Sequence, residues 1–186
     1  MQVIKLGGSL MSDPLVLRAM LRRLGQLSGI IVPGGGRFAD QVRFEQQQWA
    51  FDDGVAHDMA IMAMHQFGRL LLALHPKLVG GHTIDALDQQ SRTAMTVWLP
   101  DYRELQNTEL AASWGITSDS IALWLAQRLS ACKLVLVKSA PVDPEISLEQ
   151  MQQGGLIDAG FKTLAATGKV QIQVISKNGF DEYFSF

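Results

Sequence analysis

Two glycine turns, each entered from an apolar run and left into a helical pattern, constrain this chain more than any other feature. The first is Val3-Ile4-Lys5-Leu6 followed by Gly7, Gly8 and Ser9, with a helical pattern after Asp13-Pro14. The second is Ile30-Ile31-Val32 followed by Pro33-Gly34-Gly35-Gly36, and then a new helix. Glycines let backbone N–H groups approach an anion closely. Lys5, at the end of the first strand, adds a point charge. Two such turns within one domain's length suit two phosphates facing each other, or a phosphate and another anionic group. Taken singly, each turn also reads as a tight bend, and Lys5 as a solvated charge.

The remaining pattern is strands alternating with helices. Strands are expected at Val3–Leu6, Ile30–Val32, Ala94–Leu99, Leu134–Val137 and Val170–Ile175. Helices are expected from Asp13-Pro14, where proline's missing N–H costs little, and over Arg37–Trp49, Val55–Leu74, Ser118–Ser130, Leu148–Gln153 and Asp158–Ala166. Leu15, Leu17, Met20, Leu21 and Leu24 give the first helix an apolar face, and Phe38, Val42 and Trp49 do so for the second. Met59, Met62, Phe67, Leu70 and Leu74 on the long helix read as core. This alternation predicts an α/β fold, a three-layer αβα sandwich around a mainly parallel central sheet, in one domain over residues 1–186.

Composition narrows the partners. Hydrophobic residues make up 47% of the 186 and charged residues 18%, enough apolar surface for a core and against disorder. A net charge of −2 without a Lys/Arg run gives no basis for nucleic-acid binding. The single cysteine, Cys132, excludes a disulfide framework and is expected to be buried. The start does not read as a signal peptide, and no stretch reaches the ~18 apolar residues of a membrane span. The expectation is a cytoplasmic protein with no membrane partner. The four histidines, His57, His65, His75 and His82, do not form a metal-ligand pattern.

A third element is Thr117-Ser118-Asp119-Ser120-Ile121-Ala122. Ser118 is the expected N-cap of its helix. Asp119, in the first turn, is favourable against the helix dipole and equally placed to face the strand ends and hold a lysine.

The strings KLGGS at 5–9, IVPGGG at 31–36 and TSDSIA at 117–122, in this order and spacing, resemble the amino acid kinase superfamily, from Met1 to about Ile175. PGGGRFAD at 33–40, SWGITSDS at 113–120 and GLIDAGF at 155–161 make the chain similar, within it, to the small kinases acting on (aminomethyl)furanmethyl phosphate in methanofuran biosynthesis. The resemblance implies an ATP-dependent kinase with Mg²⁺ held mainly by the nucleotide, a small-molecule acceptor and a homo-oligomer, which exposed-looking apolar residues over Phe38–Phe67 also suggest. It implies that Lys5 neutralises the transferring phosphoryl group and that Gly7, Gly8, Ser9 and Ser118 hold the nucleotide. Gly34, Gly35 and Gly36 would hold the acceptor at a helix N-terminus, and Asp119 would orient the lysine. Arg37 reads either as a clamp on an acceptor phosphate or as a solvated arginine. Arg43, six residues on, cannot point at the same spot. An acceptor amine would want a carboxylate, and Asp40, Asp53 and Asp58 are candidates.

The sequence departs from the family in two places. Lys138 stands where many relatives carry an aspartate. At a strand's carboxyl end it is expected to face the nucleotide phosphates as a second cation, with Lys162 as its rival. The stretch Ser139–Ser147 is short, and the chain runs only to Phe186, which predicts a reduced nucleotide-binding half. A catalytically silent ligand-binding or regulatory domain on the same fold is the alternative. A dinucleotide enzyme is disfavoured because no strand follows Gly34–Ala39 before Asp52 and Asp53.

Overall fold

A computed structural model describes residues 1–106 and 108–185; Phe186 lies outside them. Six strands form one sheet: β1 (Gln2–Leu6), β2 (Gly29–Pro33), β3 (Val79–Gly81), β4 (Met95–Trp98), β5 (Lys133–Lys138) and β6 (Gln171–Ser176). Their order is β3-β4-β2-β1-β5-β6, and every pairing is parallel. The helices are α1 (Pro14–Leu24), α2 (Gly36–Trp49), α3 (Asp53–Leu74), α4 (Ile84–Gln90), α5 (Tyr102–Leu105), α6 (Ser118–Arg128), α7 (Leu148–Gln153), α8 (Phe161–Ala165) and α9 (Phe180–Tyr183). A 3-10 turn, Gly8–Ser12, joins β1 to α1.

The strand period of two sorts the core onto both faces of the sheet. Ile4, Leu6, Ile31, Val135 and Val137 pack with Leu17, Leu21 and Leu24 of α1 and Phe180 of α9. Val3, Ile30, Val32, Leu134 and Leu136 pack on the opposite face with Ile121, Leu125, Met151 and Phe161. Helices cover both faces, giving the three-layer sandwich. A buried apolar side chain of this size stabilises by about 1.5–3 kcal/mol. Lys5, on β1 between Ile4 and Leu6, is only 4% exposed and costs desolvation instead. The exception marks the site.

Several sequence expectations change. Leu15 is 81% exposed and Trp49 is 76% exposed, so neither joins the core face of its helix; Met62 and Leu70 are exposed too. Cys132 is exposed, and its thiol donates to the Met1 carbonyl. Helix α6 stops at Arg128 because Ser130 turns left-handed, with φ of 50°. Helix α8 starts at Phe161 rather than Asp158, whose carboxylate is engaged elsewhere. Among the described residues no helix is long and apolar enough to cross a membrane.

Candidate active site

The parallel sheet delivers every strand's carboxyl end to one edge, and there the two glycine turns meet. Gly7 N–H continues the ladder by donating to the Val137 carbonyl at 3.0 Å, and Gly34 N–H donates to Leu6 at 2.9 Å. Gly7 and Gly34 are therefore structural links between strand ends. Gly8 lies against Gly35 and Gly36 so tightly that a Cβ on Gly8 would fall 2.0 Å from the Gly36 nitrogen. Gly36 has φ of 54°, a left-handed conformation that favours glycine. Close approach fixes these glycines, and it brings the first turn to the N-terminus of α2.

That N-terminus carries no side-chain cap. Helices α1, α3, α4, α5 and α7 are capped by Asp13, Asp52, Thr83, Asp101 and Ser147. Gly36 and Arg37, the first residues of α2, line one end of a cavity of about 290 Å³ together with Gly8, Ser9 and Gly35. Such a terminus is suited to an anion.

Beside this junction lies a buried ionic cluster. Lys5 and Lys138 project from adjacent strands onto the face that α6 covers. Asp119 descends from the first turn of α6 between them. Lys5 Nζ is 2.8 Å from Asp119 Oδ1 as an ion pair, and Lys138 Nζ donates to Oδ2 at 2.6 Å. The three side chains are 5%, 11% and 6% exposed, respectively, for Lys5, Lys138 and Asp119. Burial alone would push the Asp119 carboxyl up, but the Lys5 and Lys138 ammoniums outweigh it and hold it below the usual range. Burial, then the Lys5 charge, push Lys138 down to about 8, against the pull of Asp119. Two ammoniums share one carboxylate, which leaves an excess of positive charge that the Asp158 carboxylate offsets only weakly, in a place where such charge is expensive.

The N-terminus of α6 is held by a residue the sequence reading did not single out. Thr117, not Ser118, is the N-cap position, and its side chain makes no cap bond. Asp158, from the loop after α7, takes over: its Oδ2 accepts from Thr117 N (2.9 Å), Thr117 Oγ1 (2.8 Å) and Ser120 N (3.0 Å). The expected cap, Ser118, lines the cavity. Nothing in sequence spacing signals this partnership across 41 positions. Lys162, the rival of Lys138, pairs with Glu149 at 3.1 Å on an exposed surface.

Among the other expected residues, Ser9 Oγ is 2.7 Å from Ser139 Oγ, tying the first turn to the segment after β5. Arg37 and Arg43 both line the cavity but take different places: Arg37 donates to the Met11 carbonyl at 3.0 Å, and Arg43 lies 4.3 Å over the Trp114 ring. Of the three candidate carboxylates, Asp40 and Asp53 line the cavity. Asp58 instead accepts from Gln106, at 2.8 Å. No group of three or more His, Cys, Asp or Glu among the described residues could hold a metal ion.

The sign of the Lys138 shift gives a pH prediction. Below about 8 the ammonium is charged and available to an anion; above it the charge is lost. The folded protein then binds fewer protons than the unfolded chain between about 8 and the ordinary lysine value, so stability rises with pH across that window while the site weakens. For a reaction that uses this cation, kcat/KM falls above about pH 8. The limb in kcat lies higher, because a bound anion raises the lysine's pKa. A kcat/KM profile flat from pH 7 to about 10 would rule the cation out of the reaction.

The family model described as "Amino acid kinase family" matches residues 1–167. The chain belongs to the amino acid kinase family. A (5-(aminomethyl)furan-3-yl)methyl phosphate kinase of Methanocaldococcus jannaschii is 27% identical over 140 residues, 73% of this chain and 64% of that protein. The chain thus matches less than two thirds of that relative's length. The uridylate kinase of Archaeoglobus fulgidus shares the fold with a TM-score of 0.72 at 15% identity, covering 100% of this chain and 96% of that one. An isopentenyl phosphate kinase in a substrate complex gives 0.64 at 13% identity, with coverage of 98% and 94%.

Proposed function

We propose that this protein transfers a phosphoryl group from ATP to the phosphate of a small monoester, giving a diphosphate. The preferred acceptor is of the (aminomethyl)furanmethyl phosphate type, in methanofuran biosynthesis. The observation that carries this reading is the buried Lys5–Asp119–Lys138 cluster, with its surplus positive charge where the two glycine turns meet. A phosphoryl group in flight spreads negative charge over its equatorial oxygens, so positioning and neutralisation do most of the catalysis. Lys5 and Lys138 supply the neutralising charge, and Asp119 fixes both ammoniums. The uncapped α2 N-terminus and Arg37 hold the acceptor phosphate, whose oxygen attacks the γ-phosphorus as the bond to ADP breaks. That oxygen is already ionised, so no general base is needed.

The nucleotide site lies along Gly7–Ser9, Ser118 and Lys138 in this reading. Both Asp119 oxygens are committed to ammoniums, so Mg²⁺ is left to the nucleotide's own oxygens and water. The stretch Ser139–Ser147 carries neither helix nor strand, which fits a reduced, open purine site in a single domain. Exposed Phe38, Phe44, Trp49, Val55 and Met62 on α2 and α3 support a homo-oligomer built on these two helices. One exposed thiol with no partner cysteine suits the reducing cytoplasm.

The test is ADP release on mixing the protein, Mg-ATP and a panel of phosphate monoesters, with ³¹P spectra of the products. ADP formed in step with a new diphosphate is the expected result. A folded protein that forms no ADP with any acceptor and binds no ATP analogue overturns the reading in favour of a silent ligand-binding domain.

A further inference from the structure

The cavity at the second glycine turn has two chemically different ends. One is the anion end already described, at Gly35, Gly36 and Arg37. The other is a fixed polar wall whose α2 residue, Gln46, lies nearly three turns along from Gly36, about 15 Å at 1.5 Å per residue. That is the span of one ring with a substituent on either side and a hydrogen bond at each end. Ile61, Met64 and Ile116 line the cavity with these ends, an apolar contribution suited to the body of such a ligand.

The wall is held by a forced relay. The indole N–H of Trp114 can only donate, and it gives its hydrogen to Gln46 Oε1 at 2.6 Å. The Gln46 amide is thereby oriented, and its Nε2 turns to Asp53 Oδ1 at 2.9 Å and the Phe51 carbonyl at 3.2 Å. One oxygen of Asp53 is spent on this relay. Among the described residues the other, Oδ2, accepts from no protein donor, and Asp53 has no ion-pair partner. The neighbouring cations are already placed: Arg43 lies over Trp114 and 3.9 Å from Asp40, and Arg37 is on the Met11 carbonyl. His57, one turn after Asp53 and also lining the cavity, is pushed by burial toward its neutral form. Asp40 has Arg43, and Asp58 lies outside the cavity.

We propose that Asp53 is a specificity-determining residue: its free oxygen receives an ammonium group borne by a flat ring, which lies along the Trp114 wall with its phosphate at the α2 N-terminus. The inference rests on the acceptor half of the reading above and names the residue that selects the acceptor. Asp53 is exposed in the open cavity, so a phosphate ester that covers its carboxylate without bringing a cation strips it of water and leaves it uncompensated, and that is the source of discrimination.

The experiment compares (5-(aminomethyl)furan-3-yl)methyl phosphate with its isostere, (5-ethylfuran-3-yl)methyl phosphate. Binding is measured by calorimetry without nucleotide, and turnover with Mg-ATP. The wild-type chain is expected to bind the ammonium ester roughly 10- to 100-fold more tightly, the range for a charged hydrogen bond. Asp53→Asn, which keeps an oxygen for Gln46, is expected to bind the two esters about equally, with the change in Kd and KM rather than kcat. Asp58→Asn is expected to keep the preference. The ligand comparison on the wild type needs no variant, so a misfolded Asp53→Asn leaves the proposal exposed. Equal binding of the two esters, binding of neither, or a folded Asp53→Asn that keeps the preference overturns it. Asp53-dependent binding of the ammonium ester without ADP formation upholds the inference and sinks the kinase reading. Equal phosphorylation of both esters does the reverse.

Discussion

Lys5→Met is expected to lower the proposed phosphoryl transfer by roughly 10²- to 10³-fold, the loss seen when one charge-stabilising donor is removed from a preorganised site. The substitution keeps the apolar stem that packs in β1 and removes only the ammonium. Lys138 and Asp119 remain as a compensated pair, so the fold survives. What disappears is the surplus positive charge, so ATP binding weakens along with the rate. Lys138 also loses the neighbour that depresses it, and the basic limb of the kcat/KM profile moves above pH 8. Initial rates across pH, beside a thermal melt, check all three outcomes. A folded variant within about threefold of wild type would remove Lys5 from the mechanism.

Gly8→Ala costs roughly 3 kcal/mol or more, at the upper end of overpacking penalties. The new Cβ would meet Gly36 N at 2.0 Å, Gly36 Cα at 2.4 Å and Gly35 C at 3.0 Å, all backbone atoms. No side chain can rotate away, so the two turns must part. For a chain of this size the loss corresponds to a fall of about 6–12 °C in Tm. Activity suffers more, because a displacement of about 1 Å at a reacting junction can cost a further 10²-fold. Gly115→Ala is the control: its Cβ meets Ser113 Oγ at 3.4 Å, an ordinary contact, and stability stays within about 1 kcal/mol. A Gly8→Ala protein with wild-type Tm would show that the turns are not in contact.

The parts of this molecule legible in the sequence are those written in local pattern. Five of the six strands and the main helices follow from apolar periodicity and from signals such as Asp13-Pro14. Val79–Gly81 was missed because three residues, two of them glycine, carry no strand signal. Leu15 and Trp49 misled because an apolar residue at helical spacing says nothing of whether a neighbour arrives to cover it. In the site, Lys5, Asp119 and Lys138 were each readable at a strand or helix end, although only the folded sheet shows that they share one carboxylate. Asp158 was hidden, because its partners are set by a loop's path rather than by spacing. The separation of Asp53 from Asp40 and Asp58 likewise needed side-chain partners that no pattern encodes.

The central place of β1 has a consequence for how the molecule comes together. Its inner neighbours are β2, close in sequence, and β5, whose Leu136 stands opposite Lys5. The four strands from β3 to β1 draw only on the first 98 residues. Lys138 arrives only when a loop of more than a hundred residues has closed, and closure of that kind is the slow part of assembly. The excess positive charge therefore exists only in the finished protein. Any polyanion that the site accepts binds the completed sheet and not its precursors, and by mass action shifts the folding balance toward completion. Substrate, for such a chain, is also a folding ligand.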